Sequence, residues 1–191
     1  MAVDSTYQPS VYRKHGGNEL VVASGGTITV QSGGTIAYES GAIITPADRV
    51  VTLSATTAIT DATHSGKLLV MAGAGAARTF TLPNATGTGA RFLFVVGTVN
   101  TSGYLIKSAR GADVMCGTIL SESSSDSATD AVNSWTAGAT DDTITLDGTT
   151  TGGVSIGDWV EVCDIATNKW FVRGVVVQSG TEATPFSDTV T

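Results

Sequence analysis

Trp159-Val-Glu-Val-Cys-Asp-Ile165 and Lys169-Trp-Phe-Val-Arg173 flank a three-residue Ala166-Thr-Asn168 turn. Aromatic and β-branched residues fill both arms, and Asn closes the turn, which predicts a β-hairpin. Glu161 then faces Lys169 or Arg173 across the pair, worth a few tenths of a kcal/mol if exposed. Upstream, Arg78-Thr-Phe-Thr-Leu82 alternates, with Phe80 and Leu82 on one face and Thr79 and Thr81 on the other. Further strands are predicted at 50–53, 67–71, 91–96, 104–108, 114–120 and 143–146. Short strands punctuated by Gly and Asn predict a β-sandwich or jelly-roll-like domain over residues 50–191. Residues 121–140 form a polar loop around Trp135, and a loop of that length is functional or mobile.

Composition supports an all-β chain. Thr (30), Val (21) and Ile (10) are 61 of 191 residues, whereas Leu, Glu, Lys and Gln are scarce. Such side chains lose rotamer freedom in helices and fit the pleated sheet.

A repeat of eight residues precedes the large domain. Leu20, Ile28, Ile36 and Ile44 are spaced by eight, as are Val22, Val30 and Tyr38. Ser24-Gly-Gly, Ser32-Gly-Gly and Ser40-Gly-Ala follow them in step. The unit is apolar-x-apolar followed by a Ser-Gly turn, so each repeat offers one short strand with one apolar face. Eight residues cannot wrap a core of their own. Three chains around an axis can, with Leu20, Val22, Ile28, Val30, Ile36, Tyr38 and Ile44 in the shared core. Residues 19–49 are therefore expected to be a short trimeric β-stalk, and a β-meander within one chain is the alternative.

Residues 1–18 show no apolar period and are expected to be an extended arm. Tyr7, Pro9, Tyr12, Arg13, Lys14 and His15 gather there, the one basic cluster of a chain carrying net charge −7. Tyr and Arg are favoured anchors at interfaces, which makes the arm a candidate docking element. A free terminus is the alternative.

Charge and motifs narrow the function. A pI near 4.6 with scattered basic residues argues against nucleic acid. The longest uncharged apolar stretch, 68–77, is half the length of a spanning helix, and no export signal is visible at the start. No membrane partner is expected. Cys116 and Cys163 lie in apolar strand-like runs and are expected to be buried free thiols of a protein made in a reducing cytoplasm. His15 and His64 are the two histidines, and His64 is expected in a surface turn. No Gly-x-Ser-x-Gly elbow, Cys-x-x-Cys or His-Glu-x-x-His occurs, and Gly73-Ala-Gly-Ala lacks the Lys of a phosphate loop. Asp126, Asp130, Asp141 and Asp142 lack the alternating spacing of a calcium loop and are expected to be solvated turn residues. No catalytic residue, metal or cofactor is expected.

Four stretches carry a resemblance. Val11-Tyr-Arg-Lys-His-Gly-Gly-Asn-Glu-Leu-Val-Val-Ala-Ser-Gly-Gly26 with the following repeats, and Arg78-Thr-Phe-Thr-Leu-Pro-Asn-Ala-Thr-Gly-Thr-Gly-Ala-Arg-Phe92, are two. Asp142-Thr-Ile-Thr-Leu-Asp-Gly-Thr-Thr-Thr-Gly-Gly153 and Trp170-Phe-Val-Arg-Gly174 complete them. Together these resemble head fibre and capsid decoration (cement) proteins of tailed bacteriophages. The resemblance implies a non-enzymatic virion protein that binds the outer capsid surface as a homotrimer and reinforces the major capsid protein lattice. A fibre that recognises a host glycan, with Trp135 as aromatic platform, is the alternative.

Overall fold

The computed structural model describes residues 11–13, 20–23, 25–37, 40, 49–124 and 132–190. Contacts divide the chain into two units, Met1–Thr45 and Pro46–Thr191.

In the first unit, strands β1 (Val11–Arg13) and β2 (Leu20–Val22) pair antiparallel, with Val11 opposite Val22 and Arg13 opposite Leu20. The stretch expected to be an open arm thus enters a hairpin at Tyr12 and Arg13. The repeat is geometrical as well as sequential. Gly26 N–H donates to Ala23 C=O and, eight residues on, Gly34 N–H donates to Gln31 C=O, each at 2.8 Å. Gly25 and Gly33 occupy the same turn position with φ of 82° each. A left-handed residue at that position is the signature of a type II turn, which is why the repeat carries Gly there.

The second unit is built from β3 (Val50–Leu53), β4 (Thr57–Ala58), a single helical turn α1 (Asp61–His64), β5 (Leu68–Met71) and β6 (Arg78–Thr81). There follow β7 (Arg91–Val96), β8 (Tyr104–Lys107), β9 (Val114–Ser123), β10 (Val132–Thr136) and β11 (Thr143–Leu146). Last come β12 (Trp159–Ala166), β13 (Lys169–Gln178) and β14 (Phe186–Ser187). The unit is nearly all strand, as the β-branched composition predicts.

A seven-stranded sheet runs β10-β9-β13-β12-β7-β5-β3 and a five-stranded sheet runs β14-β11-β8-β6-β4. The chain alternates between them from β3 to β9, one strand in each sheet per circuit. Successive circuits stack in parallel, β3 with β5 with β7 in the large sheet and β4 with β6 with β8 in the small one. Parallel neighbours need a crossover, and here a strand of the opposite sheet supplies it. A jelly roll is antiparallel throughout, so this is a sandwich of mixed strand direction. The β12–β13 hairpin expected from sequence is present, with Glu161 opposite Arg173, and it inserts between β7 and β9.

One core lies between the sheets. Phe80 of the small sheet stacks on Phe94 of the large one with centroids 5.9 Å apart, and Tyr104 extends the stack on the other side of Phe80. Tyr104 Oη donates to Thr98 C=O at 2.7 Å, so the polar end of a fully buried ring is satisfied. Phe80 and Leu82 point inward, as the alternation predicts.

Candidate functional site

The register aligns outward side chains into rows that cross the whole large sheet. One row reads Thr52, Val70, Val95, Trp159, Val175, Leu120, Ser134. The next reads Val50, Leu68, Leu93, Glu161, Arg173, Thr118, Thr136. A shorter third row holds Arg91, Cys163, Phe171 and Cys116. The outer face of the small sheet differs sharply: its rows are Thr79, Leu105, Thr145 and Thr81, Lys107, Thr143, Ser187. One outer face is written for water. The other is apolar from Val70 to Leu120.

The strand sequences explain this. Arg91-Phe-Leu-Phe-Val-Val96 and Leu68-Leu-Val-Met71 are apolar on both sides of the pleat, the pattern of strands covered on both faces. Their inner residues, Phe92, Phe94, Val96, Leu69 and Met71, are buried against the small sheet. Their outer residues have no covering layer within the second unit. Phe171, Val175 and Leu120 are exposed on the same face.

A charged triad is set in the middle. Glu161 receives Arg173 Nε at 2.5 Å on one oxygen and the Arg91 guanidinium on the other. Glu161 is nearly buried while both arginines stand half in solvent. Burial pushes the Glu161 carboxyl up, but hydrogen bonds and charge from Arg173 and Arg91 outweigh it and hold the group below its ordinary value. It is therefore an anion at neutral pH, and it clamps three strands together rather than donating a proton. Around it lie two shallow depressions. One of about 420 Å³ is lined by Leu93, Val95, Gly157, Trp159, Glu161 and Arg173. The other, of about 270 Å³, brings in Lys67, Leu68 and Arg91 and shares Leu93 and Glu161. Such a surface can hold an apolar partner and fix its register by charge. Sequence reasoning found Glu161 and Arg173 but missed Arg91, which comes from a strand 70 residues away.

The stalk residues Leu20, Val22, Ile28, Val30 and Ile36 are all exposed, Leu20 at 60%, Ile28 at 57% and Ile36 at 51%. Tyr38 and Ile44 lie outside the described residues, as do Tyr7, Pro9, Lys14 and His15; Tyr12 and Arg13 are placed by their backbone in β1.

Three sequence expectations are corrected. Trp135 is not on a polar loop but on β10, half-buried against the core, with Nε1 donating to Ser121 Oγ at 2.9 Å and Gln178 Oε1 at 3.0 Å. His64 is buried on α1, its Nδ1 accepting the Thr60 N–H at 3.0 Å. Asp142 is buried and not solvated: it accepts the Thr189 and Val190 N–H groups at 3.0 Å each, while Asp141 accepts the Gly138 N–H. Asp126 and Asp130 lie outside the described residues. Cys116 and Cys163 are free thiols, half-buried on the outer face of the large sheet. Burial pushes the Cys163 thiol up. Among the described residues no three His, Cys, Asp or Glu side chains gather to hold a metal, and no helix is long and apolar enough to cross a membrane.

No family model, curated protein or solved structure matches the chain.

Proposed function

We infer that the chain is a structural virion protein that binds the outer surface of a tailed-phage capsid as a homotrimer and reinforces the major capsid lattice. It would be made in the host cytoplasm and act without catalysis, cofactor or metal. The observation that carries the reading is the exposed apolar row of the repeat. Leu20, Ile28 and Ile36 recur every eight residues with turns of the same geometry between them, and all three are exposed. Other copies of the repeat supply matching apolar rows, and burying such rows against one another is worth roughly 25 cal/mol per Å² removed from water. Three copies bring three docking elements to a lattice position of matching symmetry, and avidity lets each bind weakly. The alternative of glycan recognition is less favoured, because Trp135 is half-buried on β10 against the core with its Nε1 bonded to Ser121 and Gln178.

Light scattering behind a sizing column tests the copy number: a trimer has a mass of about 58 kDa, three times 19.4 kDa. Docking is tested by co-sedimentation with shells of the cognate major capsid protein. Removing residues 1–10 takes away Tyr7 and Pro9 and spares the β1–β2 hairpin; with Lys14→Ala and His15→Ala added, the trimer is expected to stay intact and capsid binding to be lost. Full binding by that variant would move the docking role to the larger unit, and a mass near 19 kDa would overturn the trimer.

A further inference from the structure

We propose that the outer face of the seven-stranded sheet is a copy-to-copy interface, covered in the assembled protein by a second copy of this chain. The inference rests on the multi-copy reading and assigns it a surface in the second unit. Three observations carry it.

First, the central strands are apolar on both sides, and the uncovered side runs unbroken from Val70 through Val95, Trp159 and Val175 to Leu120. The small sheet, by contrast, carries threonine, serine and lysine on its outer face with Leu105 the one aliphatic residue of those rows, and Thr143 there is covered by Thr189, so that face is mostly polar. An apolar patch of that breadth on one face marks an interaction surface.

Second, charge selects the occupant. The face holds Lys67, Arg91, Lys169 and Arg173 against Glu161 and Glu122, which is +2. The whole chain is −7, so the remainder is −9. A ring of copies joins two different patches, the face of one chain against another part of the next, and any such part is drawn from a remainder whose net sign is opposite to that of the face. Two such faces pressed directly together would set cation against cation.

Third, Glu161 is spent on Arg91 and Arg173 and is already nearly buried. Covering the middle of the face therefore strands no lone carboxylate there, and the outer N–H groups of both arginines remain to receive an acidic neighbour.

Cys116 and Cys163 both lie on this face, in one row with Phe171 between them, and report on its coverage without any mutation. The full chain is alkylated under native conditions, the modification of each thiol is followed by mass spectrometry, and the mass in solution is measured in parallel. The reference is Leu120→Glu/Val175→Glu, two exposed positions where a charge does not disturb the core; its folding is checked by circular dichroism. The wild-type chain is expected to be multi-copy, with both thiols reacting about tenfold or more slowly than in the reference, since only an accessible thiolate reacts. A multi-copy wild type whose thiols react at the reference rate overturns the interface and leaves the stalk reading standing. A single-copy wild type overturns both. If the reference fails to fold, dilution of the wild type decides: thiol rates that rise as the mass falls support the interface, and a fall in mass with unchanged rates overturns it. Raised salt is expected to speed alkylation of both thiols in the wild type by screening the charge match, whatever the stalk does to the mass. Thiol rates unchanged in high salt would overturn the charge argument for the second copy.

Discussion

Asp164 shows how one side chain can close a loop. Its two oxygens accept N–H groups from Thr86, Gly87 and Thr88, the nearest at 2.7 Å, and the Thr88 hydroxyl at 2.9 Å. Asp158 works differently, since the N–H groups of Gly153, Ser155 and Val177 converge on the single oxygen Oδ2, with the Val154 N–H also directed at the carboxyl. Burial pushes both carboxyls up. At Asp164 the donors outweigh burial and hold the group below its ordinary value, whereas at Asp158 burial wins and the group sits above it. The stabilisation from Asp164 is thus present above its unfolded pKa of about 4 and is lost as pH falls through the folded value. For Asp158 the sign reverses: its contribution is present at low pH and lost as pH rises through the folded value. Asn can mimic Asp158 with its single oxygen but must turn an amide toward donors at Asp164. Asp164→Asn is expected to cost about 2–3 kcal/mol at pH 7 and Asp158→Asn less than about 1 kcal/mol. Chemical denaturation of both variants checks this, and the Asp164→Asn deficit is expected to narrow below about pH 4. Equal costs at pH 7 would refute the distinction. The role of Asp164 is not legible in the sequence, because its donors come from a loop some 76 residues distant; that of Asp158 is partly local, with donors 3 and 5 residues before it and a third 19 residues on.

Among the elements, the β12–β13 hairpin was legible because its signal is local: two runs of strand formers and an Asn turn that adopts a left-handed φ of 62° at Asn168. The β1–β2 pair was not, since Val11-Tyr-Arg13 offers a single aliphatic residue and no tight turn. Trp135 was misplaced for a related reason. Val132-Asn-Ser-Trp-Thr136 is polar at three of five positions without alternating, and only its pairing with β9 reveals the strand. The parallel order of β3, β5 and β7 has no local signature, because each partner lies a full circuit away. The site was legible in part: Glu161 and Arg173 share a hairpin, but the apolar rows appear only when seven strands are in register. Element β9 also depends on one glycine. Gly117 holds a φ of 134°, and a Cβ there would overlap the Val172 carbonyl of the adjacent β13. Gly117→Ala is expected to destabilise by about 3 kcal/mol through backbone strain, measured as a drop in the thermal midpoint. A variant within about 0.5 kcal/mol of wild type, the ordinary range for surface changes, would show that β9 can shift past β13 at little cost.

At the scale of the molecule, the two outer faces of the sandwich differ in kind, apolar on the large sheet and mostly polar on the small one. The position of the β12–β13 hairpin adds a constraint of timing. Strands β7 and β9 are successive strands of the large sheet along the chain, with only β8 of the other sheet between them, yet they are not adjacent in the sheet, because the hairpin stands between them. A chain emerging from the ribosome can stack its early circuits as they appear, yet residues 159–178 must be synthesised before the large sheet is continuous. Until then β7 and β9 each present a row of free N–H and C=O groups, the template on which unfinished chains pair wrongly. A chain ending at Asp158 is therefore expected to collect in the insoluble fraction, and supplying residues 159–191 during refolding is expected to recover soluble protein; a soluble, monodisperse truncation would contradict this. In a cell making many copies at once, the hazard lies in the interval before residues 159–178 arrive, and premature encounters between neighbouring polysomes are what this topology makes costly.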